Sequence, residues 1–142
     1  MPHTYIQKLI AAALKKDARL AEAGVTVITQ NGKDLEKFLR ASLGKLSGPV
    51  AVVTCDTLEK RDTSPSEWEV AVSVIVTEQI SLNRSRSYYL TALDVAFLAA
   101  AIIPALGLHV SGAIRHVTPG EKILEATARF AGRVRYTQES ED

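Results

Sequence analysis

One alternating stretch, EWEVAVSVIVTEQ, constrains the fold of this chain more than any other part of its sequence. Trp68 and four valines alternate with a more polar set, Glu69, Ala71, Ser73, Ile75 and Thr77. Period-two alternation predicts a β-strand with one face on a core. At about 3.3 Å per residue, the stretch from Glu67 to Glu78 extends on the order of 36 Å, about twice a typical strand. We therefore expect this strand to project beyond its sheet or to bend.

The size and composition of the chain fit one folded domain, residues 1–142. At 142 residues, the chain is long enough to bury a core without disulfides or metals. Its 46% apolar and 23% charged residues exclude a disordered or fibrous chain, and its formal charge of +1 argues against a surface built wholly for nucleic acid or anionic lipid. Its most apolar run is shorter than the roughly 20 residues that a membrane helix needs, so we expect no membrane partner.

The N-terminal part of the chain predicts two helices and two strands. Helical spacing indicates a helix from about Thr4 to Glu22, with Thr4 and Gln7 as a capping box. VTVIT (25–29) predicts a strand, and KDLEKFLRASLGKL (33–46) predicts the second helix. PVAVVTC (49–55) predicts the next strand. The two strands could pair in parallel, or could lie apart in the sheet because their connection is long.

The rest of the chain predicts a loop, an apolar helix and closing strands. The polar stretch Asp56–Ser66 is expected to be a loop between two strands of one sheet. Thr91 and Asp94 form a capping box that begins the helix. Since Asp94 is the only charged residue from 91 to 104, we expect the first helix and a neighbouring subunit to cover this helix together. Two or three strands follow, with Thr118–Glu121 as the turn between them.

These elements predict an α/β (α+β) fold, with a single twisted, mostly antiparallel sheet of four to six strands flanked by two to three helices. Residues 137–142 are expected to form a flexible acidic C-terminus.

Residues that could carry catalysis or bind a metal do not form a recognisable constellation. The three histidines, His3, His109 and His116, are not spaced with cysteines or carboxylates as metal ligands are, although two of them could approach each other across a hairpin. The single cysteine, Cys55, lies in an apolar run that favours a buried core residue. Carboxylates near the polar loop are explained by a solvated charge run. We therefore predict no catalytic residue, no metal and no cofactor, and a protein that is not an enzyme.

Three arginines on the last strand allow two interpretations. Alternation places Arg129, Arg133 and Arg135 on one face, where they form a basic stripe. The first interpretation is a solvated sheet face whose arginines pair with acidic residues of the neighbouring strand, for instance Glu69. The second is a surface that faces phosphate or an acidic partner.

The order of elements, together with EVAVSVIVTEQISLNR leading into YYLTALDVAFLAAAII and a final FAGRVRYT, resembles the bacteriophage tail terminator or tail completion proteins. These head-tail joining proteins, also called minor tail proteins, have a small α/β fold and assemble as hexameric rings on the tail tube. As sequence, the resemblance covers about forty residues, from Glu69 to roughly Gly107. It departs from the family in the apolar content of 97–103 and in the long stretch Asp56–Ser66.

The resemblance implies a structural virion protein of the tail or neck, assembled in the host cytoplasm. Its partners would be further copies of itself in a homo-hexamer, the tail tube protein, the head-tail connector or neck protein, and passing DNA through non-specific contact. The long strand and the segment from Gln79 to Ser87 would reach a neighbouring subunit. The subunit interface would then include Gln79, Leu82, Asn83, Arg84 and Ser85, and the basic stripe would face the ring lumen or an acidic partner.

The alternative function is a small nucleic-acid-binding or ligand-binding module that uses the sheet face with the three arginines. Near-neutral net charge and few aromatic residues count against it. An enzyme of unrecognised type is a third hypothesis, for which the sequence offers no site.

Overall fold

A single six-stranded sheet organises the part of the chain that the computed structural model describes, residues 1–29, 47–61 and 66–137. The strands are β1 (Thr26–Thr29), β2 (Val50–Lys60), β3 (Glu67–Gln79), β4 (Leu108–Val110), β5 (Arg115–Gly120) and β6 (Ile123–Arg135). They follow the order β1-β2-β3-β6-β4, and β5 pairs with β6 on the same side as β4. Among these strands β1 and β2 pair in parallel, and the other pairs are antiparallel.

Four α-helices accompany the sheet within the described residues. They are α1 (Pro2–Lys16), α2 (Ala18–Glu22), α3 (Ile80–Arg84) and α4 (Ala92–Ile102), and a short 3-10 helix (Ile103–Leu106) follows α4. The predicted α+β fold with one mostly antiparallel sheet is confirmed. The helix predicted at 33–46 and the acidic residues 138–142 lie outside the described residues.

The long strand is the centre of the sheet. β3 pairs with β2 from Trp68 to Thr77 and with β6 along its whole length, from Glu67 to Gln79. Its alternation is as predicted, since Val72, Val74 and Val76 are fully buried in the main core. The expectation that β3 projects beyond its sheet is wrong, because β6 is equally long and pairs with it from end to end.

The polar stretch after Cys55 begins as strand, so the predicted loop Asp56–Ser66 is wrong over its first five residues. β2 continues to Lys60 and β3 begins at Glu67. A bulge between Cys55 and Thr57 shifts the register by one residue, and pairing then runs on to Lys60 opposite Trp68. A bulge lets two residues face one on the partner strand without ending the ladder. The polar composition reflects exposure at this end of β2 and not a loop.

The first helix begins earlier than predicted and is broken before its predicted end. Met1 caps α1, so the predicted capping box of Thr4 and Gln7 is wrong. The hydroxyl of Thr4 donates to the Met1 carbonyl (2.9 Å), and buried Gln7 donates to the Val53 carbonyl (2.8 Å), which ties α1 to β2. Asp17 is extended and caps α2 by accepting from two backbone N–H groups.

The second capping box is confirmed. The side chain of Thr91 accepts from the Asp94 N–H, and the Asp94 carboxylate accepts from the Thr91 N–H. The 3-10 helix after α4 ends at Gly107 with a φ of 90°, a left-handed conformation that glycine adopts readily. The predicted turn Thr118–Glu121 is shifted, because β5 runs through Gly120 and the turn is formed by Glu121 and Lys122.

The helices α1, α2 and α4 pack on one face of the sheet and form the main core. From β3 the core takes four valines, and from β6 it takes Ala126, Ala128 and Phe130. The register places the alternate residues of β2, β3 and β6 on the other face, including the three predicted arginines. One face of the sheet therefore carries the main core, and the other carries the three arginines.

Candidate interaction surfaces

A fully buried carboxylate lies where β3 meets α3 and α4. Glu78 is 0% exposed, and its oxygens accept from the amide nitrogen of Asn83 (2.6 Å) and from Nε and Nη2 of Arg84 (3.1 and 3.4 Å). The N–H of Ala92, the first residue of α4, donates to it at 3.0 Å. Four donors and the positive end of a helix thus compensate the buried charge.

Asn83 and Arg84 serve this cluster in different ways. Asn83 is 0% exposed and also donates to the Leu90 carbonyl (2.8 Å), so its side chain bridges α3, β3 and the approach to α4. The side chain of Arg84 is 40% exposed, and its hydrogen bond with Glu78 raises the pKa of the guanidinium. The prediction that Asn83 contacts a neighbouring subunit is corrected accordingly, because its side chain is enclosed by its own chain.

The other residues predicted at the subunit interface lie around the same short helix. Leu82 is 43% exposed, Ser85 is exposed and donates from its hydroxyl to the Leu82 carbonyl (2.9 Å), and Gln79 is half-buried. With Arg84, the residues Leu82 and Ser85 present one accessible surface beside the Glu78 cluster. Their role at a subunit interface stays a prediction.

Arg86 fills a slot between two glycines. Its Nη1 donates to the Ala23 carbonyl, which lies 63 residues away in sequence. A Cβ on Gly48 would lie 2.8 Å from that nitrogen, and a Cβ on Gly24 would collide with the guanidinium. Arg86 therefore joins the end of α2 to the start of β2. The segment after β3 is held by Asn83 at Glu78 and by Arg86 at Ala23.

The basic stripe lies on the sheet face opposite the helices, and all three arginines are exposed. Register places Arg135 opposite Glu67, Arg133 opposite Glu69 and Arg129 opposite Ser73. The Nε of Arg133 lies 3.8 Å from the Glu69 carboxylate, which also binds Arg61 at 2.5 Å. The interpretation of an arginine paired with Glu69 is confirmed for Arg133.

A trough crosses this face beside the stripe, with a volume of about 360 Å³. Its floor is a row of directly opposed residues, Thr57, Ala71, Ala131 and His109, contributed by β2, β3, β6 and β4. The two alanines leave the space open. A second row, Glu59, Glu69 and Arg133, forms its wall. Carboxylates thus stand towards β2 and basic groups towards β4.

The outer face of α4 is an exposed apolar surface. The buried side of the helix consists of Val95 and the alanines 92, 96 and 99, whereas Leu93 is 40% and Phe97 65% exposed. Leu98 and Ile102 are half-buried against the core, whereas Leu93 and Phe97 point away from it. α1 contacts α4, as predicted, but leaves this outer face uncovered among the described residues.

The remaining sequence candidates are not brought together. His109 pairs with Ala131 and His116 with Ala126, so the two histidines lie five positions apart along β6 and do not meet. Burial raises the pKa of the Cys55 thiol, and the charge of Asp56 adds to the effect. In the described ranges no group of histidines, cysteines and carboxylates could hold a metal ion. A search of the same residues finds no helix long and apolar enough to cross a membrane.

Sequence reasoning missed the residues that organise the segment after β3. Glu78 was read as the end of a strand and Arg86 as part of a polar segment. Glu78 accepts from Asn83, five residues away, and Arg86 donates to Ala23, 63 residues away. Neither spacing belongs to a known sequence motif. The one available signal was the position of an acidic residue at the end of an otherwise apolar strand, which required that a cation or a helix N-terminus lie beside it.

Comparison with known proteins adds no family to these observations. No protein-family model matches the chain, and no curated protein matches it.

Proposed function

We propose that the chain is a structural protein that assembles into a closed ring of identical subunits, about six, at the head-proximal end of a phage tail tube. In that position it stops tube polymerisation and joins the tail to the head connector. A ring former needs surfaces that bind further copies and needs no active site. The proposal rests on the resemblance of its sequence to tail terminator proteins and on the surface of α4.

The outer face of α4 is the observation that carries self-assembly. A helix that exposes a leucine and a phenylalanine on its outer face gains stability from a partner that covers them. Phe97, at 65% exposed, has the most to bury. Asp94 is the only charge in the helix and is held in its capping box, so no ionic group needs to be desolvated at the centre of such a contact.

The mass and shape of the purified particle test this proposal. We expect rings of a fixed number of subunits in electron micrographs, either alone or on the ends of tail tubes, and a matching mass in sedimentation. Phe97→Ser should keep the fold and weaken assembly, because the substituted side chain lies outside the core. Val117→Ser, at a residue 54% exposed on β5, is the matched control and should assemble normally. A chain that stays monomeric and never adds to tubes or connectors refutes the proposal.

A second candidate function, binding of phosphates along the arginine stripe, draws support from Arg129 and Arg135, which form no ion pair with the residues described. Glu67 and Glu69 stand directly opposite two of the three arginines and reduce the positive potential there. Salt-dependent binding to DNA that is lost in Arg129→Gln/Arg135→Gln would favour this function over the ring.

A further inference from the structure

The trough on the sheet face that carries the arginines contains charges that the described residues do not balance. Glu59 lies directly opposite Glu69, and like charges at opposed positions of two strands repel. Glu69 is shared between Arg61 and Arg133. Glu59 and His109 form no ion pair with any described residue. A free carboxylate thus stands at the β2 side of the trough, and basic groups stand at the side of β6 and β4.

The turn between β5 and β6 carries the complementary pair of charges at its tip. This hairpin tip consists of Glu121 and Lys122, both exposed and neither in an ion pair within the described part of the chain. Its backbone is held in place, because the Lys122 carbonyl accepts from the Ile80 N–H at 2.9 Å. A fixed tip loses less conformational entropy when it docks than a loose loop does.

The tip and the trough lie at opposite ends of β6. The tip immediately precedes Ile123, and Arg133 is ten residues further along the strand, about 33 Å at 3.3 Å per residue. The hairpin tip therefore cannot reach the trough of its own chain. Two different patches at opposite ends of a subunit make a heterologous contact, which repeats from copy to copy and closes into a ring when the rotation allows.

We propose that the hairpin tip of one copy docks into the trough of the next copy, with Lys122 beside Glu59 and Glu121 beside Arg133 and His109. The inference rests on the proposed self-assembly and names a second contact, besides α4, through which it occurs. The trough crosses three strand spacings, about 14 Å, which accommodates a two-residue turn with its side chains directed to either side. Charge pairs of this kind set the register and orientation of the subunits more than their total affinity.

Charge reversal tests the pairing. Lys122→Glu places a carboxylate beside Glu59 of the next copy, and Glu59→Lys places two ammonium groups together. Each variant should weaken assembly about tenfold or more, whereas the double variant restores opposite charges and should recover most of the loss. Lys60→Glu, which has the same change of charge on the other face of β2, is the matched control. Sedimentation over a salt series measures the effect, with circular dichroism to verify the fold.

A cysteine trap provides a readout that does not depend on affinity. One chain carries Cys55→Ala and Glu59→Cys, and a second carries Cys55→Ala and Lys122→Cys. On mixing and mild oxidation, we expect a disulfide between the two different chains. A mixture in which Lys15→Cys replaces Lys122→Cys should give no such product. Absence of the crosslink, or unchanged assembly of Lys122→Glu, overturns the inference.

The two proposals fail in different ways. If the natural chain forms rings and the charge variants form the same rings with the same salt dependence, the tip-in-trough contact is wrong and the ring function stands. If the natural chain forms no particle larger than a monomer, alone or with tail tubes, both are refuted together.

Discussion

Glu78 shows how a single residue fixes several elements at once. An isolated carboxylate is costly to bury, and this one is stable because Asn83, Arg84 and the N–H of Ala92 replace its water. The four donors come from α3 and from the start of α4. The carboxylate therefore sets the position of α4 relative to β3, and with it the direction in which the exposed face of α4 points.

Replacement of Glu78 should reveal this role in the free energy of unfolding. Glu78→Ala leaves a buried amide, a backbone N–H and a guanidinium without their acceptor, and we expect a loss of about 3 kcal/mol. Glu78→Gln keeps the shape and one acceptor and should lose less. Glu22→Gln, at an exposed residue of α2, should change the unfolding free energy by less than about 0.5 kcal/mol. Urea denaturation measures all three, and equal stability of Glu78→Ala and Glu22→Gln would contradict the assigned role.

Asn83 and Arg84 are expected to behave differently from each other. Asn83→Ala removes one buried and one partly buried hydrogen bond, so we expect a loss of roughly 2 kcal/mol in the monomer. Arg84→Ala removes a partly exposed partner and should cost less. If both residues lay at a subunit interface, as the resemblance implies, both changes would instead spare the fold and prevent assembly. A thermal melt of Asn83→Ala that matches the natural chain would support that earlier expectation instead.

At the scale of one element, Asp17 shows how a single side chain ends one helix and begins the next. It separates α1 from α2, caps α2 and binds the Arg19 guanidinium at 2.8 Å. That hydrogen bond, with two backbone N–H groups, lowers the pKa of its carboxyl. A carboxyl with a lowered folded pKa contributes stability above its unfolded pKa, about 4, and loses it as pH falls through the folded value.

The pH dependence of Asp17→Ala follows from that shift. Near pH 7 we expect the substitution to destabilise the chain by about 1 kcal/mol, the usual effect of a lost helix cap. As pH falls through the lowered pKa of the folded state, the difference from the natural chain should shrink, because the carboxyl is then protonated in both states. Asp17→Asn retains the capping oxygen, so its free energy of unfolding should lie between those of Asp17→Ala and the natural chain. A difference that is constant from pH 7 to pH 2.5 in urea titrations would rule out the charge as its cause.

Element prediction succeeded where local chemistry decides and failed where pairing decides. The Thr91 and Asp94 capping box and the alternation of β3 act within a few residues, and both were predicted correctly. The stretch after Cys55 has the composition of a loop, and it is a strand because β3 lies beside it and supplies hydrogen bonds as far as Lys60. The short strands around Gly107 and Gly120 likewise depend on β6 and not on their own propensity.

At the scale of the whole molecule, the central place of β3 predicts where the structure is most resistant to opening. The amides from Val72 to Val76 pair on both sides and lie over the core, whereas every residue of β5 is exposed and pairs on one side within the described sheet. We expect hydrogen exchange of the β3 amides to be about a hundredfold slower or more than that of the β5 amides. Equal protection in the two strands would contradict a core centred on β3.

The fold class followed from the order and periodicity of the elements, and the candidate surfaces followed only in part. Alternation placed Arg133 on the correct face and suggested Glu69 as its partner, which is what the structure contains. The trough required knowledge that Thr57, Ala71, Ala131 and His109 share one row across four strands. Register between strands distant in sequence is set by the assembled sheet, and no single segment encodes it.

The position of β6 has a consequence for the chain while the ribosome is still making it. β3 emerges early and can form a hairpin with β2, but the strand that covers its other edge ends at Arg135, near the end of the sequence. Until then a valine-rich edge of thirteen residues has no partner in this sheet. Unpaired apolar edges recruit other strands. We therefore expect nascent chains that stall before β6 to bind chaperones and to aggregate.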